Sequence, residues 1–190
     1  MTDRPASLDV LFRPASVAVV GASRRKGTIG YQIVDNLLRH GFEGVVHPVN
    51  PSAAAIHGVR AYPDVASVPG GVDLAVIVVP KERVLGVVED CGAAGVGAIV
   101  VISAGFKEVG GAGVALEDEL VARTRHHGMR LVGPNCMGLL NTDPQVSMNA
   151  TFAPNMPPTG QMSFLSQSGA LGVTILDYAL EYGIGIRHFV

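Results

Sequence analysis

Five short, β-branched apolar runs, each closed by Gly, Pro, Asn or Ser, constrain this chain more than any other feature. They are Ser16 to Gly21, Gly44 to Val49, Asp73 to Val79, Gly97 to Ser103 and Arg130 to Gly133. Apolar side chains follow one another in these runs instead of alternating with polar ones, so each strand is buried on both faces. That is the pattern of a parallel sheet, and parallel neighbours need crossover connections. Three crossovers read as helices. The first covers about 29–40, with Ile29, Ile33 and Leu37 on one stripe and Gly41 as its stop. The second starts after Pro80 and carries Val84, Leu85, Val87, Val88 and Cys91 before Gly92 and Gly95. The third spans about 113–127, with Leu116, Leu120 and Val121 inward and Gly128 beyond its end. This alternation predicts an α/β, doubly wound parallel-sheet domain over residues 8–140, of the Rossmann-like kind.

Elsewhere the pattern is weaker. Residues 50–72 are rich in Pro, Gly and Ala and read as a loop, with at most a short helical turn near Asp64. Residues 141–159 hold Pro144, Pro154, Pro157 and Pro158 without helical period, and read as a linker with an extended piece near Val146 to Phe152. Residues 160–190 then read as strand (160–166), helix (168–182) and strand (186–190), the incomplete start of a second, flavodoxin-like α/β unit. Two strands and a helix do not close a core. The open edge of that unit predicts association or partial disorder after about residue 155.

Composition removes several classes of function. With 14 Lys plus Arg against 16 Asp plus Glu, a net charge of −2 and 5% aromatics, the chain has neither the electrostatic footprint nor the stacking platform of a nucleic-acid binder. The start, MTDRPASLDVLF, has no apolar leader, and no apolar run approaches the roughly 18 residues of a membrane span. A cytoplasmic protein is expected. Cys91 and Cys136 stand far apart with no CxxC, which argues against a disulfide framework and a structural zinc site. No pair among the six histidines has metal spacing, and no metal is expected. No base is identifiable for Cys136 as a nucleophile, so no residue is assigned a catalytic role.

Ligands of open parallel sheets bind beyond the C-terminal strand ends, which makes the five ends the candidate site. The first opens Gly21-Ala-Ser-Arg-Arg-Lys-Gly-Thr-Ile-Gly30, a glycine-rich loop leading into a helix, where backbone N–H groups and the helix dipole favour a phosphate. Arg24, Arg25 and Lys26 add positive charge; the alternative is a plain turn with solvated basic residues. The order Lys26-Gly27-Thr28 does not fit a Walker A loop, which needs Gly-Lys before Ser or Thr. Gly21, Gly27 and Gly30 do not fit the NAD spacing, and the second strand ends Val49-Asn50-Pro51 with no carboxylate for a ribose. A phosphate-bearing nucleotide is favoured over NAD, and an NADP preference through Arg24 or Arg25 keeps a dinucleotide as a weaker alternative. Val79 and Pro80 could flank an adenine or an aliphatic arm, or simply start a helix. Ser103, Ala104 and Gly105 offer a hydroxyl and open backbone, and Asn135 in Gly133-Pro-Asn-Cys-Met-Gly138 could bond a ligand amide or close its own loop. Ser166-Gln-Ser-Gly-Ala-Leu-Gly172 is a second strand-to-helix loop, in which Ser168 is equally a plain helix cap.

Taken together and in order, SVAVVGAS, VNP, VDLAVIVVP, VVISAGFKE, GPNCMGLLN and SQSGALG resemble the N-terminal coenzyme A-binding domain of the NDP-forming acyl-CoA synthetases, including the ADP-forming acetyl-CoA synthetases. More distantly the chain resembles the succinyl-CoA synthetase α subunit and the same module fused to acetyltransferase domains in bacterial lysine acetyltransferases. The resemblance covers about residues 8–190. It implies that the loop of Gly21, Ala22, Ser23, Arg24, Lys26, Gly27 and Gly30 holds the phosphates of coenzyme A or acyl-CoA. Val49, Asn50 and Pro51 would border the nucleotide, with Val79 and Pro80 opposite. The pantetheine arm would pass Ser103, Ala104 and Gly105 toward Asn135 and Cys136. Ser166, Ser168 and Gly169 would form a phosphate site that faces a phosphohistidine in the family reaction. Two departures stand out: many relatives carry a proline near Arg24-Arg25-Lys26, and none of the six histidines matches the catalytic motif, which lies in the family beyond the last residue here. The implied partner is an ATP-grasp domain or subunit, or an acetyltransferase domain regulated by a coenzyme A- or nucleotide-sensing module; a homo-oligomer is also possible.

Overall fold

A computed structural model describes residues 7–190; the first half of the sequence expected to lack an apolar leader lies outside them. A single turn, α1 (Asp9–Phe12), leads into β1 (Ser16–Val20), α2 (Ile29–Arg39) and β2 (Val45–Val49). A small hairpin, β3 (Ala55–Ile56) and β4 (Val59–Arg60), precedes β5 (Leu74–Ile77), α3 (Lys81–Ala93), β6 (Ala98–Val101), α4 (Ala112–His126) and β7 (Arg130–Val132). Five of these strands form one parallel sheet in the order β2-β1-β5-β6-β7. Every residue of β5 and β6 is buried, as continuous apolar runs require. Ile33, Val34 and Leu37 of α2 cover one face together with Val17, Val19, Leu74 and Val76; Val84 and Val88 of α3 and Leu120 of α4 cover the other with Ala18, Ala75, Ile77 and Ile99. The helix after β1 and the helix after β5 therefore lie on opposite faces. Their strands part at the switch point between β1 and β5, where such sheets open a crevice.

The stretch 50–72 differs from expectation. It holds the β3–β4 hairpin, which was not expected, while near Asp64 there is a turn within the loop, as expected, in which Asp64 Oδ1 accepts from the Ser67 N–H at 2.8 Å. Isolated pairing of Val49 with Tyr62 ties this excursion back to the end of β2.

The stretch 141–159 is more than a connection. β8 (Gly138–Asn141) pairs antiparallel with β9 (Met148–Thr151), which falls within the extended piece expected there. β10 (Met162–Phe164), α5 (Gly169–Glu181) and β11 (Ile186–Phe189) follow, and the four strands make a mixed sheet in the order β10-β11-β8-β9. The second unit thus closes its core by borrowing β8 and β9. Leu139, Met148 and Ala150 pack on the α2 side, and Leu140, Met137 and Phe189 pack under Leu176 and Ala179 of α5. The polar residues of β8 and β9 are buried and paired. Asn36 of α2 donates through Nδ2 to the carbonyls of Thr151 (2.7 Å) and Ala153 (2.8 Å), and Asn149 Oδ1 accepts from Thr151 Oγ1 at 2.8 Å. Asp143 is held by Arg13 and, at 2.7 Å, by Arg187 of β11; the Arg13 guanidinium holds its carboxyl below the usual carboxylate range. α2 is consequently clamped between two sheets.

Candidate functional site

The glycine-rich loop is shaped by close approach. Gly21 has φ of +94°, donates its N–H to Val49 O at 3.0 Å, and a Cβ there would meet the Val78 backbone at 3.0 Å. A Cβ at Gly30 would fall inside the van der Waals envelope of the Gly21 carbonyl oxygen, so only glycine lets α2 begin against the end of β1. Thr28 caps that helix, its Oγ1 accepting from the Tyr31 N–H at 3.4 Å. Ser23 Oγ accepts from Arg25 N at 3.0 Å, Ala22 is buried, and Arg24, Arg25, Lys26 and Gly27 are exposed. Asn50 is committed to the scaffold at both ends of its amide: Nδ2 donates to Ala22 O (2.7 Å) and Oδ1 accepts from Ser52 N (2.8 Å). It ties the end of β2 to the loop after β1.

Three clefts run along the C-terminal edge of the large sheet and share walls. The first, about 410 Å³, lies between Gly21, Val49, Asn50 and Pro51 on one side and Val78, Val79 and Pro80 on the other. The second, about 700 Å³, is entered past the same Val79 and Pro80 and is bordered by Ile29 of α2, Ser103, Ala104, Asn135, Cys136 and Gly169. The third, about 370 Å³, shares Asn135, Cys136, Gln167 and Gly169 with the second and reaches Ser166 and Ser168. One groove therefore leads from the switch point to the N-terminus of α5.

Along this groove the side chains are mostly held in place. Ser103 Oγ donates to Val79 O at 2.5 Å and Ser103 O accepts from Asn135 N at 3.0 Å, which fixes the second cleft's rim. Asn135 itself is exposed, with φ of +53°. Cys136 is half-buried and donates to Val101 O at 3.3 Å, and burial pushes its thiol up to about 11, which favours the protonated form at neutral pH. Ser168 Oγ accepts from Leu171 N at 3.3 Å, which is the plain capping role, while Ser166 Oγ accepts from Ser168 N at 3.1 Å. These bonds leave the amides of Gly169 and Ala170 at the exposed first turn of α5, where an anion is favoured.

Of the residues singled out in the sequence, Gly21, Val49, Asn50, Pro51, Val79, Pro80, Ser103, Ala104, Asn135, Cys136, Ser166, Ser168 and Gly169 line the groove. Ala22, Ser23, Gly27, Gly30 and Gly105 fall outside these linings, Gly30 holding the start of α2 against Gly21, and Arg24 and Lys26 stand on the surface outside them as well. Sequence reasoning missed Lys81 and Arg83, Met137, Phe152 and Gln167; the signal available for the first two was their place directly after the Val79-Pro80 strand end. The histidines stand apart from the linings: His127 bonds Glu89 at 2.8 Å, His40 meets Pro154 O at 3.1 Å and His188 meets Ser163 Oγ at 3.0 Å. Among the described residues no three His, Cys, Asp or Glu side chains gather as a metal would need, and no helix is long and apolar enough to cross a membrane.

Residues 15–142, which carry the large sheet and its switch point, match a known family model, the CoA binding domain. The chain belongs to the CoA-binding domain family. Its likeness extends past the family model. It is 46% identical over 183 residues to the ADP-forming acetate–CoA ligase I of Archaeoglobus fulgidus, covering 96% of this chain and 26% of that protein. It is 42% identical over 188 residues to the α subunit of the ADP-forming acetate–CoA ligase I of Pyrococcus furiosus, covering 97% of this chain and 40% of the relative. Among solved structures it is similar to an acetyl-coenzyme A synthetase 1 of Ca. Korarchaeum cryptofilum determined with phosphate and ADP, at 49% identity and a TM-score of 0.92, over 97% of this chain and 39% of the other. This CoA-binding domain therefore spans about a quarter to two fifths of the length of the relatives it matches.

Proposed function

We propose that this CoA-binding domain holds coenzyme A or acyl-CoA in the three-part groove, as the N-terminal part of an ADP-forming acyl-CoA synthetase. The observation that carries the reading is the continuity of the groove. A long ligand with a charged nucleotide end and an amide-rich arm needs an anion-tolerant loop, an apolar passage and a polar rim in succession, and the clefts follow that order. The backbone from Gly21 to Gly30 faces the diphosphate at the start of α2, a role for amides that the helix dipole reinforces. Val49, Asn50 and Pro51 with Val79 and Pro80 flank the adenosine, and Ser103, Ala104, Asn135 and Cys136 border the arm. Ser166, Ser168 and Gly169 put a phosphate site at the far end, next to the thioester. Coenzyme A supplies the thiol that carries the acyl group.

In the whole protein the net conversion is acyl-CoA, phosphate and ADP to acid, coenzyme A and ATP. The phosphohistidine and the ATP-grasp domain or subunit of the family are its partners in a cytoplasmic enzyme, and this segment alone binds without turnover. The relatives named above are acyl-CoA ligases, which favours this setting over attachment to an acetyltransferase. A dinucleotide is disfavoured because β2 ends in Asn50, whose amide is spent on Ala22 and Ser52 and offers no carboxylate to a ribose. Calorimetric titration of the 190-residue chain with coenzyme A, NAD and NADP in parallel tests the reading. Micromolar binding of coenzyme A with silence from both dinucleotides is expected; dinucleotide binding without coenzyme A binding would overturn it.

A further inference from the structure

We propose that the first turn of α3 supplies, through Lys81 and Arg83, the positive charge that holds the phosphates of coenzyme A in this chain. The inference rests on the coenzyme A reading above. The glycine-rich loop carries Arg24, Arg25 and Lys26, which are exposed as Lys81 and Arg83 are, but none of the three lines the groove. α3 begins directly behind the wall that divides the first two clefts, Val79 and Pro80, and places one cation on each side of it. Arg83 lines the first cleft and Lys81 the second. Neither makes a salt bridge among the described residues, although the Glu108 carboxylate lies near enough to Lys81 to feel its charge.

The exposed Lys81 packs its stem on the turn after β6. A Cβ at Gly105 would lie 2.6 Å from Lys81 Cδ, so the lysine stem lies across the bare glycine backbone after β6. Glu108 accepts from the Gly105 and Phe106 N–H groups, which fixes that turn beneath the lysine. Lys81 is also the one charged side chain lining the second cleft. Arg83 stands on a different electrostatic background: the other charged side chains of the first cleft are Asp64 and Asp90. Without Arg83 a phosphate there would meet carboxylates alone. The positive end of the α3 dipole adds to both cations. Arg83 shares its cleft with the end of β2, on the adenosine side, where a guanidinium suits a terminal phosphate monoester; Lys81, at the join with the arm cleft, suits the diphosphate.

The test is calorimetry on the 190-residue chain with coenzyme A, 3′-dephospho-coenzyme A and pantetheine. Arg83→Ala is expected to weaken coenzyme A by about tenfold or more, the loss of a charge-assisted bond, and to leave dephospho-coenzyme A within about twofold. Lys81→Ala is expected to weaken both nucleotides alike and leave pantetheine unchanged, with Lys26→Ala close to wild type. Asp90→Asn is expected to tighten coenzyme A, a gain that misfolding does not produce. Wild-type affinity in Lys81→Ala and Arg83→Ala, together with a large loss in Lys26→Ala, would overturn this inference while leaving the coenzyme A reading intact. A wild-type chain that fails to bind coenzyme A would sink that reading itself.

Discussion

The units β1–α2–β2 and β10–α5–β11 share one local design and differ in how they are completed. Each runs from strand through a Gly- and Ser-containing loop into a helix capped by a hydroxyl, Thr28 in the first and Ser168 in the second, and returns in a parallel strand. β1 has neighbours on both sides and four of its five residues buried. β10 has three residues, none fully buried, and forms an edge paired with β11 alone. α2 packs between two sheets and exposes only Ile29 and Leu38 among its large apolar side chains, whereas α5 exposes Leu171, Tyr178 and Leu180, with Tyr182 and Ile184 just beyond its end. The same strand-loop-helix device can thus sit in a finished core or at an unfinished edge. Its local bonds do not reveal which; the neighbours do.

The largest expected contrast is in the helices. Leu37→Ala in α2 removes a side chain with no exposure and should cost about 2–5 kcal/mol, while Leu180→Ala in α5, 46% exposed, should stay within about 0.5 kcal/mol. Chemical denaturation of the two variants measures this, and equal costs would erase the distinction drawn between the units. The glycines give the next contrast. Gly30→Ala drives a methyl into the Gly21 carbonyl and should lose about 1–3 kcal/mol, whereas a Cβ at Gly169 meets nothing closer than Met137 Cβ at 3.9 Å, so Gly169→Ala should be nearly neutral. The smallest effect concerns the staple between the units, where Arg13 ahead of β1 and Arg187 of β11 meet on Asp143. Because Arg13 depresses the Asp143 carboxyl, its contribution is complete above the ordinary value of 3.8 and is lost as pH falls through the depressed one. Thermal midpoints taken through the acid range should fall less steeply in Asp143→Asn; an unchanged slope would mean that the staple contributes nothing.

Legibility followed the physics of burial. The five strands of the large sheet and their crossover helices were readable because unbroken apolar runs have few other uses, and they lie within about two residues of the expected ends. β9 lies in the extended piece expected near Val146 to Phe152, but β8 and its pairing with β9 were hidden because Asn141, Asn149 and Thr151 look like loop residues. They are buried because partners far away in the sequence and next door satisfy them together: Asn141 donates to Phe12 O, Asn36 donates to Thr151 O, and Asn149 and Thr151 bond each other. Prolines 154, 157 and 158 follow β9 instead of interrupting it. At the site, the strand ends announced the groove, but the exposed loop cations drew attention that the lining gives to α3. Asn50 was visible as a non-acid; its work in joining two loops was not.

The wall of Val79 and Pro80, common to the first two clefts, turns the groove into a measure of length. A nucleotide alone or an arm alone fills one compartment and leaves the next to water. When the two are covalently joined, seating one end delivers the other at high effective concentration, so the joined molecule gains far more than either fragment separately. If coenzyme A occupies the groove as proposed, tethering counts as much as any single contact, and a molecule with the right ends and too short a bridge should bind weakly without a clash.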